Sequence, residues 1–403
     1  MHHACAVFCI FPSIDFPTPS IKSRADSIYT TIMAEICKHN KILMPKKQQD
    51  RFVTLDNGEV SRATFPVVVS ASRSTDIPAF YADWFFHRLE KGYSAWTNPF
   101  NGVKSYVGYA DTRFIVFWSK NPRPLLEHLD YLKSRGIGCY IQYTLNDYEE
   151  EGLERGVRPL AERIETFKLI VDKLGTGTVV WRFDPLILTD KIDMDKLLAK
   201  IENIGDQLNG YTEKLVFSFA DIVSYRRVKS NLERNHINYI DWTPAQMLEF
   251  ASRLVALNKS KGWNFILATC GEAADLPGVE HNHCVDDRLI VRFGHNSPEL
   301  LKFLGAEIID TVNTGNLFAE FEPIQIPDDA IEVGDGKYAV IHQNNRDKGQ
   351  RTACGCMKSK DIGEYNTCPH MCEYCYANSS KETAVRNWRQ HNQNPHQDTI
   401  TGK

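Results

Sequence analysis

From residue 65 onward, the chain alternates between short apolar runs and longer segments in which apolar residues recur three and four positions apart. The short runs, such as the β-branched stretch 66–70 (PVVVS), predict buried strands, and the longer segments predict helices. Strands are predicted at 66–70, 93–97, 113–118, 139–144, 178–183, 214–219 and 264–269. Helices are predicted at 79–91, 123–135, 159–174, 194–208, 243–260 and 297–305.

The alternation of single strands with single helices predicts parallel βα units and therefore an α/β fold. No Gly-rich phosphate loop follows the first strand, as a doubly wound nucleotide-binding sheet would require. The pattern therefore favours a (β/α) barrel, partial or TIM-like, over residues 61–305. Residues 1–60 are interpreted as an N-terminal tail or linker, 306–345 as an inserted β-like excursion, and 346–403 as a cysteine-rich, metal-binding segment.

Polar side chains follow nearly every predicted strand. In a barrel, the carboxyl ends of the strands meet at one face, which is where active sites form. The residues singled out there as candidate catalytic groups are Arg73, Asp76, Lys120, Arg182, Asp184 and Glu272. The cations among them would favour a ligand carrying a carboxylate, a phosphate or an amino acid moiety. The alternative is that the aspartates, with Asp221, are helix caps or loop residues.

Composition narrows the classes of function. Hydrophobic residues make up 42% and charged residues 24% of the 403 residues, which excludes global disorder. The net charge of -4 argues against a protein that coats nucleic acid through bulk positive charge. No segment approaches the roughly 18 apolar residues of a membrane span. Because five of the eleven cysteines crowd into 354–375, a metal site in a reducing compartment is expected, and hence a cytoplasmic location.

Cys368, Cys372 and Cys375 have CxxxCxxC spacing, which places three thiolates close enough to share one metal centre. Soft thiolates select zinc or iron–sulfur clusters. A structural zinc ion would need a fourth ligand, which Cys354, Cys356 or His370 could supply. A 4Fe-4S cluster held by only three cysteines would instead keep one iron open for chemistry.

Four other cysteines, Cys270, Cys284, Cys354 and Cys356, could hold a second cluster or a structural zinc if the tail folds onto the seventh strand. The alternative is that Cys270 and Cys284 are ordinary buried thiols. His281 and His283 are interpreted as residues of a solvated turn, and Cys139 shows no partner pattern.

The string 368–378 (CPHMCEYCYAN), with Tyr374 just before the last cysteine, resembles the cysteine motif of the spore photoproduct lyase-like branch of radical S-adenosylmethionine enzymes. The segments 115–132 and 154–168 also resemble parts of that branch. More broadly, residues 65–290 and 347–403 resemble an uncharacterised domain-of-unknown-function (DUF) family with a C-terminal cysteine cluster similar to that of radical S-adenosylmethionine proteins. That likeness rests on 72–78 (SRSTDIP), 270–272 (CGE), 278–286 (GVEHNHCVD) and 347–351 (DKGQR).

This resemblance implies an enzyme in which Cys368, Cys372 and Cys375 hold a 4Fe-4S cluster, with Tyr374 in the cofactor-binding motif. The enzyme would use S-adenosylmethionine to generate a 5′-deoxyadenosyl radical, take electrons from a ferredoxin or flavodoxin, and act on an unknown small-molecule or nucleic-acid-derived substrate. In that superfamily the cysteines follow the first strand, and a Gly-Gly-Glu follows the second. Here the cysteines follow the whole predicted barrel, so the tail must fold back over its mouth, and the Gly-Gly-Glu is missing. The alternative is a non-catalytic barrel that is stapled by zinc and binds a small ligand or partner.

Overall fold

The computed structural model of the chain describes residues 51–98, 101–311, 325–351 and 354–402. In chain order the strands β1 to β17 are Arg51–Thr54, Val60–Thr64, Val68–Ala71, Tyr93–Thr97, Lys104–Gly108, Phe114–Ser119, Gly138–Thr144, Val179–Leu186, Leu188–Thr189, Lys214–Phe219, Tyr239–Ile240, Ile266–Thr269, Glu280–His281, Ala306–Asp310, Ile331–Gly334, Lys337–Ile341 and Lys360–Asp361. The helices α1 to α10 are Ile77–Phe80, Ala82–Lys91, Leu129–Ser134, Leu160–Leu174, Met194–Leu208, Arg226–Arg234, Pro244–Lys261, Asp287–Gly294, Pro298–Leu304 and Lys381–Gln393, with a 3₁₀ helix at Arg123–Glu127.

The helix predictions are confirmed most closely where capping residues mark the ends. Helix α5 begins after Asp193, whose side chain accepts a hydrogen bond from the Lys196 backbone N–H. Helix α7 begins after Thr243, which forms a capping box with Gln246, and it ends at Gly262 in the left-handed conformation. These signals are local, so they can be read from the sequence without knowing the fold.

The central feature is an eight-stranded sheet in the order β17-β3-β6-β7-β8-β10-β12-β13, in which every pair is parallel. From β3 to β13, the order of the strands across the sheet is the same as their order along the chain. This confirms the α/β class. Within the described residues no pairing joins β13 to β17, so the sheet has two edges and no closed barrel is formed.

Both faces of the sheet are buried, as expected for parallel strands. Along β6, Ile115 and Phe117 belong to the large core that includes helices α2, α4, α5 and α7. Phe114 and Val116, which alternate with them, belong to a second core with α8 and α9. The helices that connect successive strands therefore cover one face, while later parts of the chain fill the other.

The second predicted strand does form, as β4, but its assignment to the main sheet is wrong. It pairs antiparallel with β5 in a separate four-stranded sheet, β1-β2-β5-β4. The link between the two strands, residues 98–103, is shorter than the dozen or so residues that a parallel crossover needs. Strand β5 begins with polar residues, Lys104-Ser105, and for this reason the sequence pattern did not reveal it.

The ends of the predicted domains differ from the structure in detail. The interval assigned to the N-terminal tail includes β1 and the first residue of β2, while residues 1–50 lie outside the described residues. The excursion at 306–345 contains strands β14, β15 and β16, which form a three-stranded antiparallel sheet, with residues 312–324 outside the described part. No helix among the described residues is both long and apolar enough to cross a membrane.

Candidate functional site

The carboxyl ends of the central strands surround a cavity of about 580 Å³. Every site residue predicted from the sequence lines this cavity: Arg73, Asp76, Lys120, Arg182, Asp184, Glu272, Cys270, Cys284, Cys354, Cys356, Cys368, Cys372, Tyr374 and Cys375. A volume of this size lies in the range that accommodates small-molecule ligands. The fold therefore brings together groups that are about 300 residues apart in the chain.

The C-terminal segment reaches the cavity by adding a strand to the sheet. Strand β17 pairs in parallel with β3, and its Asp361 accepts a hydrogen bond from the Arg73 backbone N–H at 2.9 Å. Farther on, the Gly156 N–H donates to the His370 carbonyl oxygen at 2.9 Å. A Cβ atom at Gly156 would lie 2.7 Å from the carbonyl oxygens of both Pro369 and His370. This close approach requires glycine and fixes the cysteine loop against the residues that follow β7.

Cys368, Cys372 and Cys375, here called the trio, lie in the loop that follows β17. Burial raises the pKa of all three thiols, and negative charge on the other two members of the trio would raise that of Cys372 further. Backbone N–H groups point to two of the sulfurs: those of His370 and Asp76 to Cys368, and those of Asn378 and Ala377 to Cys375. Such donors stabilise thiolates once a metal has displaced the protons.

His370 does not point toward the trio as a fourth ligand. Its Nε2 lies 2.7 Å from Oδ2 of Asp76, and its Nδ1 lies 3.3 Å from the Gly156 carbonyl oxygen. Because both ring nitrogens are engaged, the zinc arrangement that used His370 has no support from the geometry. Cys354 and Cys356, the other two proposed fourth ligands, lie with the remaining cysteines of the cavity.

Asp76 is a hub of hydrogen bonds at the end of β3. Its Oδ1 accepts from the Ser119 hydroxyl at 2.7 Å and caps helix α1 through the Ala79 N–H. Its Oδ2 accepts from the Lys120 N–H at 2.7 Å and faces His370. Both oxygens are thus occupied by protein groups. This geometry fits the helix-cap alternative and makes Asp76 a residue that positions the cysteine loop.

Lys120, Glu154 and Tyr374 form a buried polar network beside Cys372. The Lys120 ammonium lies 2.7 Å from Glu154 Oε1 and donates to the Tyr374 hydroxyl at 2.9 Å. The Tyr374 hydroxyl also donates to Glu154, and Asn146 donates to the same hydroxyl at 3.0 Å. Burial would raise the pKa of Glu154, but Lys120 and Arg163 outweigh it and lower that pKa to about 2. The carboxylate is therefore ionised and holds Tyr374 in place.

The other four cysteines, here called the quartet, come from three segments and meet at the cavity wall. The sulfurs of Cys270 and Cys284 are 3.1 Å apart, and the Cys284 N–H donates to the Cys356 sulfur at 3.2 Å. The thiols of Cys354 and Cys356 are also hydrogen-bonded. Hydrogen bonds from Cys270 and Cys356, together with Arg182, hold the pKa of Cys284 well below its usual range despite burial.

Cations and carboxylates line a further part of the cavity wall. Arg182 is buried, donates to Cys284 at 3.3 Å and pairs with Asp184. The Arg73 and Arg182 guanidinium groups lie 5.6 and 5.3 Å from the centre of the Trp118 ring. Burial raises the pKa of Glu272, and the nearby Asp221 adds to that effect. The cavity thus combines positive groups near the quartet with a carboxylate whose pKa is raised.

Among the described residues, one group of potential metal ligands has its ligand atoms within 4.8 Å of one another, namely His283, Asp286 and Asp287. Asp286 caps helix α8, and Asp287 accepts a hydrogen bond from Asn345 at 3.0 Å, so both carboxylates have protein partners. His281 is exposed but lies in strand β13, paired with Thr269, and His283 is half-buried against Gly355, so the interpretation of the two histidines as a solvated turn is wrong. Neither the trio nor the quartet brings three sulfurs within this limit in the described part of the chain.

Two residues of the site were not singled out from the sequence as catalytic or positioning groups. Glu154 lies in an irregular stretch of glutamates, 149–154, where nothing distinguishes the buried one from its neighbours. Arg351 lines the cavity beside Gly271. The sequence pattern pointed to it only as the last residue of the segment 347–351. A signal for Glu154 would have been its place opposite the cysteine loop, which only the tertiary structure gives.

A model of the family described as "Domain of unknown function (DUF1848)" matches residues 68–377. This interval contains β3, the whole central sheet and both groups of cysteines. Neither the search of curated proteins nor the search of solved structures gave a match.

Proposed function

The chain belongs to the family of unknown function DUF1848, and for this member we propose a radical S-adenosylmethionine-type enzyme with a 4Fe-4S cluster held by Cys368, Cys372 and Cys375. The observation that carries the proposal is the position of the trio. It lines the same cavity as the polar strand ends, and His370, the histidine in the trio's own loop, is engaged by Asp76 and Gly156. Three cysteines without a fourth protein ligand would leave one iron available to a ligand from solution.

The topology supports the same proposal. In the superfamily that the cysteine motif resembles, the three cysteines follow the first strand of a (β/α) barrel. Here β17 lies beside β3 at the start of the spatial order of the sheet, although it comes last in the chain. The cysteine loop therefore occupies the place after the first strand, as in a permuted chain. We accordingly interpret the sheet as an open (β/α) barrel that begins at β17.

The residues of the trio fit such a cluster. Their thiols are soft ligands, they receive backbone N–H groups, and none of them forms a disulfide.

When bound, the cluster would pass one electron from a reduced ferredoxin or flavodoxin to S-adenosylmethionine, whose sulfur–carbon bond breaks to give methionine and a 5′-deoxyadenosyl radical. The chain itself orients and encloses the reactants. Lys120 and Glu154 hold Tyr374 beside Cys372. Arg73, Arg182, Asp184 and Glu272 offer charged contacts to the cofactor or to a small-molecule or nucleic-acid-derived substrate.

The test is metal and product analysis on protein purified and reconstituted without oxygen. We expect iron and sulfide, broad visible absorbance, and 5′-deoxyadenosine release when a reductant and S-adenosylmethionine are added. Cys372→Ala should abolish the release, while Cys139→Ala should not change it, because Cys139 is a buried free thiol outside the cavity lining. A colourless protein that binds only zinc would refute the enzyme and favour the zinc-stapled barrel that binds a small ligand or partner.

A further inference from the structure

We propose that Cys270, Cys284, Cys354 and Cys356 hold a second metal centre bound by four thiolates, in the wall of the same cavity. This proposal does not depend on the function proposed for the trio, because it rests on other residues and other contacts. Its ligand is a soft metal, either a zinc ion or an iron–sulfur cluster, since both are held by four cysteines in proteins.

The first support is the convergence of the sulfurs. Cys270 follows β12, Cys284 follows β13, and Cys354 and Cys356 lie between β16 and β17. Cys284 contacts the Cys270 sulfur at 3.1 Å and, through its N–H, the Cys356 sulfur at 3.2 Å. Ordinary buried thiols behave as small apolar groups and have no reason to gather. Four that meet from three segments indicate a shared ligand.

The second support is a set of N–H donors around the sulfurs. The Arg182 guanidinium donates to the Cys284 sulfur at 3.3 Å, and the Asn282 side-chain amide donates to it at 3.2 Å. Arg182 and Asn282 are both buried. Arg182 also pairs with Asp184, and thiolates around a metal would give its second contact, the one to Cys284, negative charge as well. Outer groups that donate to metal-bound sulfur are a general feature of such centres.

The third support is the way the chain fixes the segment that carries Cys354 and Cys356. The Met357 N–H donates to the Val285 carbonyl oxygen, and the Asp347 N–H donates to that of Cys356, both at 2.9 Å. A Cβ atom at Gly355 would lie 2.2 Å from the ring of His283. The two loops are therefore packed tightly against each other. Because the sulfurs contact one another in a row, metal binding would rotate the thiols toward a common centre.

The test uses the full chain with the trio removed, Cys368→Ala/Cys372→Ala/Cys375→Ala, purified and reconstituted without oxygen. We expect this variant to retain about one zinc ion, or iron with matching sulfide, per chain. The same chain that also carries Cys270→Ala/Cys284→Ala/Cys354→Ala/Cys356→Ala should lose that metal, whereas added Cys139→Ala should not. Retained zinc or retained iron supports the centre and identifies its metal.

Three outcomes would overturn the proposal. The variant without the trio could hold neither metal, the variant without all seven cysteines could keep its metal, or Cys270 and Cys284 could form a disulfide in place of a metal site. If the trio variant does not fold, the quartet variant of the otherwise intact chain decides the question. Its metal content should fall below that of the unaltered protein by one centre, and an unchanged content would refute the proposal. Because the readout is metal content, the result stands whether or not the protein cleaves S-adenosylmethionine.

Discussion

The trio and the quartet line one cavity but are assembled in different ways. The trio comes from a single loop, its spacing is local, and backbone N–H groups point to two of its sulfurs. The quartet comes from three segments, and side chains such as Arg182 and Asn282 donate to its central sulfur. A cluster at the trio would have one corner free of protein ligands, whereas a metal at the quartet would be surrounded by them. This contrast predicts a reactive centre at the trio and a closed one at the quartet.

The largest effect is expected from Glu154→Gln, which removes the buried carboxylate charge that pairs with Lys120 beside the trio. Lys120 would then lack its carboxylate partner, and the buried guanidinium of Arg163, which forms no hydrogen bond within the described residues, would keep only Glu149 at 3.7 Å. Leaving the Lys120 charge unpaired should lower the free energy of unfolding by about 3–5 kcal/mol. Chemical denaturation of the metal-free protein measures it. Glu150→Gln is the control, because the Glu150 side chain is 77% exposed. Equal stability of the two variants would contradict the role of Glu154.

The next largest effect is expected from a substitution beside the quartet, which tests whether the two cysteine groups bind metal independently. Asn282→Ala removes the amide that donates to Cys284 but touches nothing in the trio. Loss of such an outer donor commonly weakens metal binding about 10–100-fold. Competition with a chelator in the chain that lacks the trio measures the affinity. If Asn282→Ala weakens the trio instead, in the chain that lacks the quartet, the two groups are not independent.

A pair of glycine substitutions should affect one group each. Gly156→Ala places a methyl group 2.7 Å from two backbone carbonyl oxygens of the trio loop, which cannot move away freely. We expect a loss of about 1–3 kcal/mol in stability from this overpacking, together with reduced iron at the trio. Gly355→Ala meets the His283 side chain, which can rotate, so its effect should be smaller and confined to the quartet. Stability and metal content of both variants decide this, and a reversed order would be evidence against it.

The smallest effect is expected from Tyr374→Phe, which keeps the ring and removes one hydroxyl beside the trio. Lys120, Glu154 and Asn146 lose a shared partner but keep one another. The net loss should be about 1 kcal/mol, with metal at the quartet unchanged. Tyr131→Phe is the matched control, because the Tyr131 hydroxyl has no hydrogen-bond partner in the described part of the chain. A loss as large as that of Glu154→Gln would mean that Tyr374 carries the network.

Much of the fold was accessible from the sequence because its signals are local. Helices α5 and α7 were predicted within a few residues, since caps and apolar periodicity mark their ends. The assignment of β4 to the central sheet was wrong, because the sequence of a strand does not show which other strand it pairs with. Its partner β5 shows a weak apolar pattern, so the hairpin that removes β4 from the main sheet was not seen.

The candidate site, like the fold, could be predicted only where its signals are local. Residue type and spacing identified the trio and the polar strand ends, because parallel strands bring their carboxyl ends to one edge. The sequence could name the four quartet cysteines but not decide between ligands and plain thiols. Glu154 could not be separated from the other glutamates near it, since its importance comes from burial opposite Lys120.

By itself, the sequence determined the α/β class, the positions of most helices and strands, and the presence of a three-cysteine motif. These follow from periodicity and spacing within a few turns of chain. Only the tertiary structure decided that β17 adds to the edge of β3 and carries the trio to the cavity, and that four thiols from three segments meet there. The reason is physical: the pairing of β17 with β3 joins residues 291 positions apart, the contact between Cys284 and Cys356 joins residues 72 positions apart, and no local pattern encodes either.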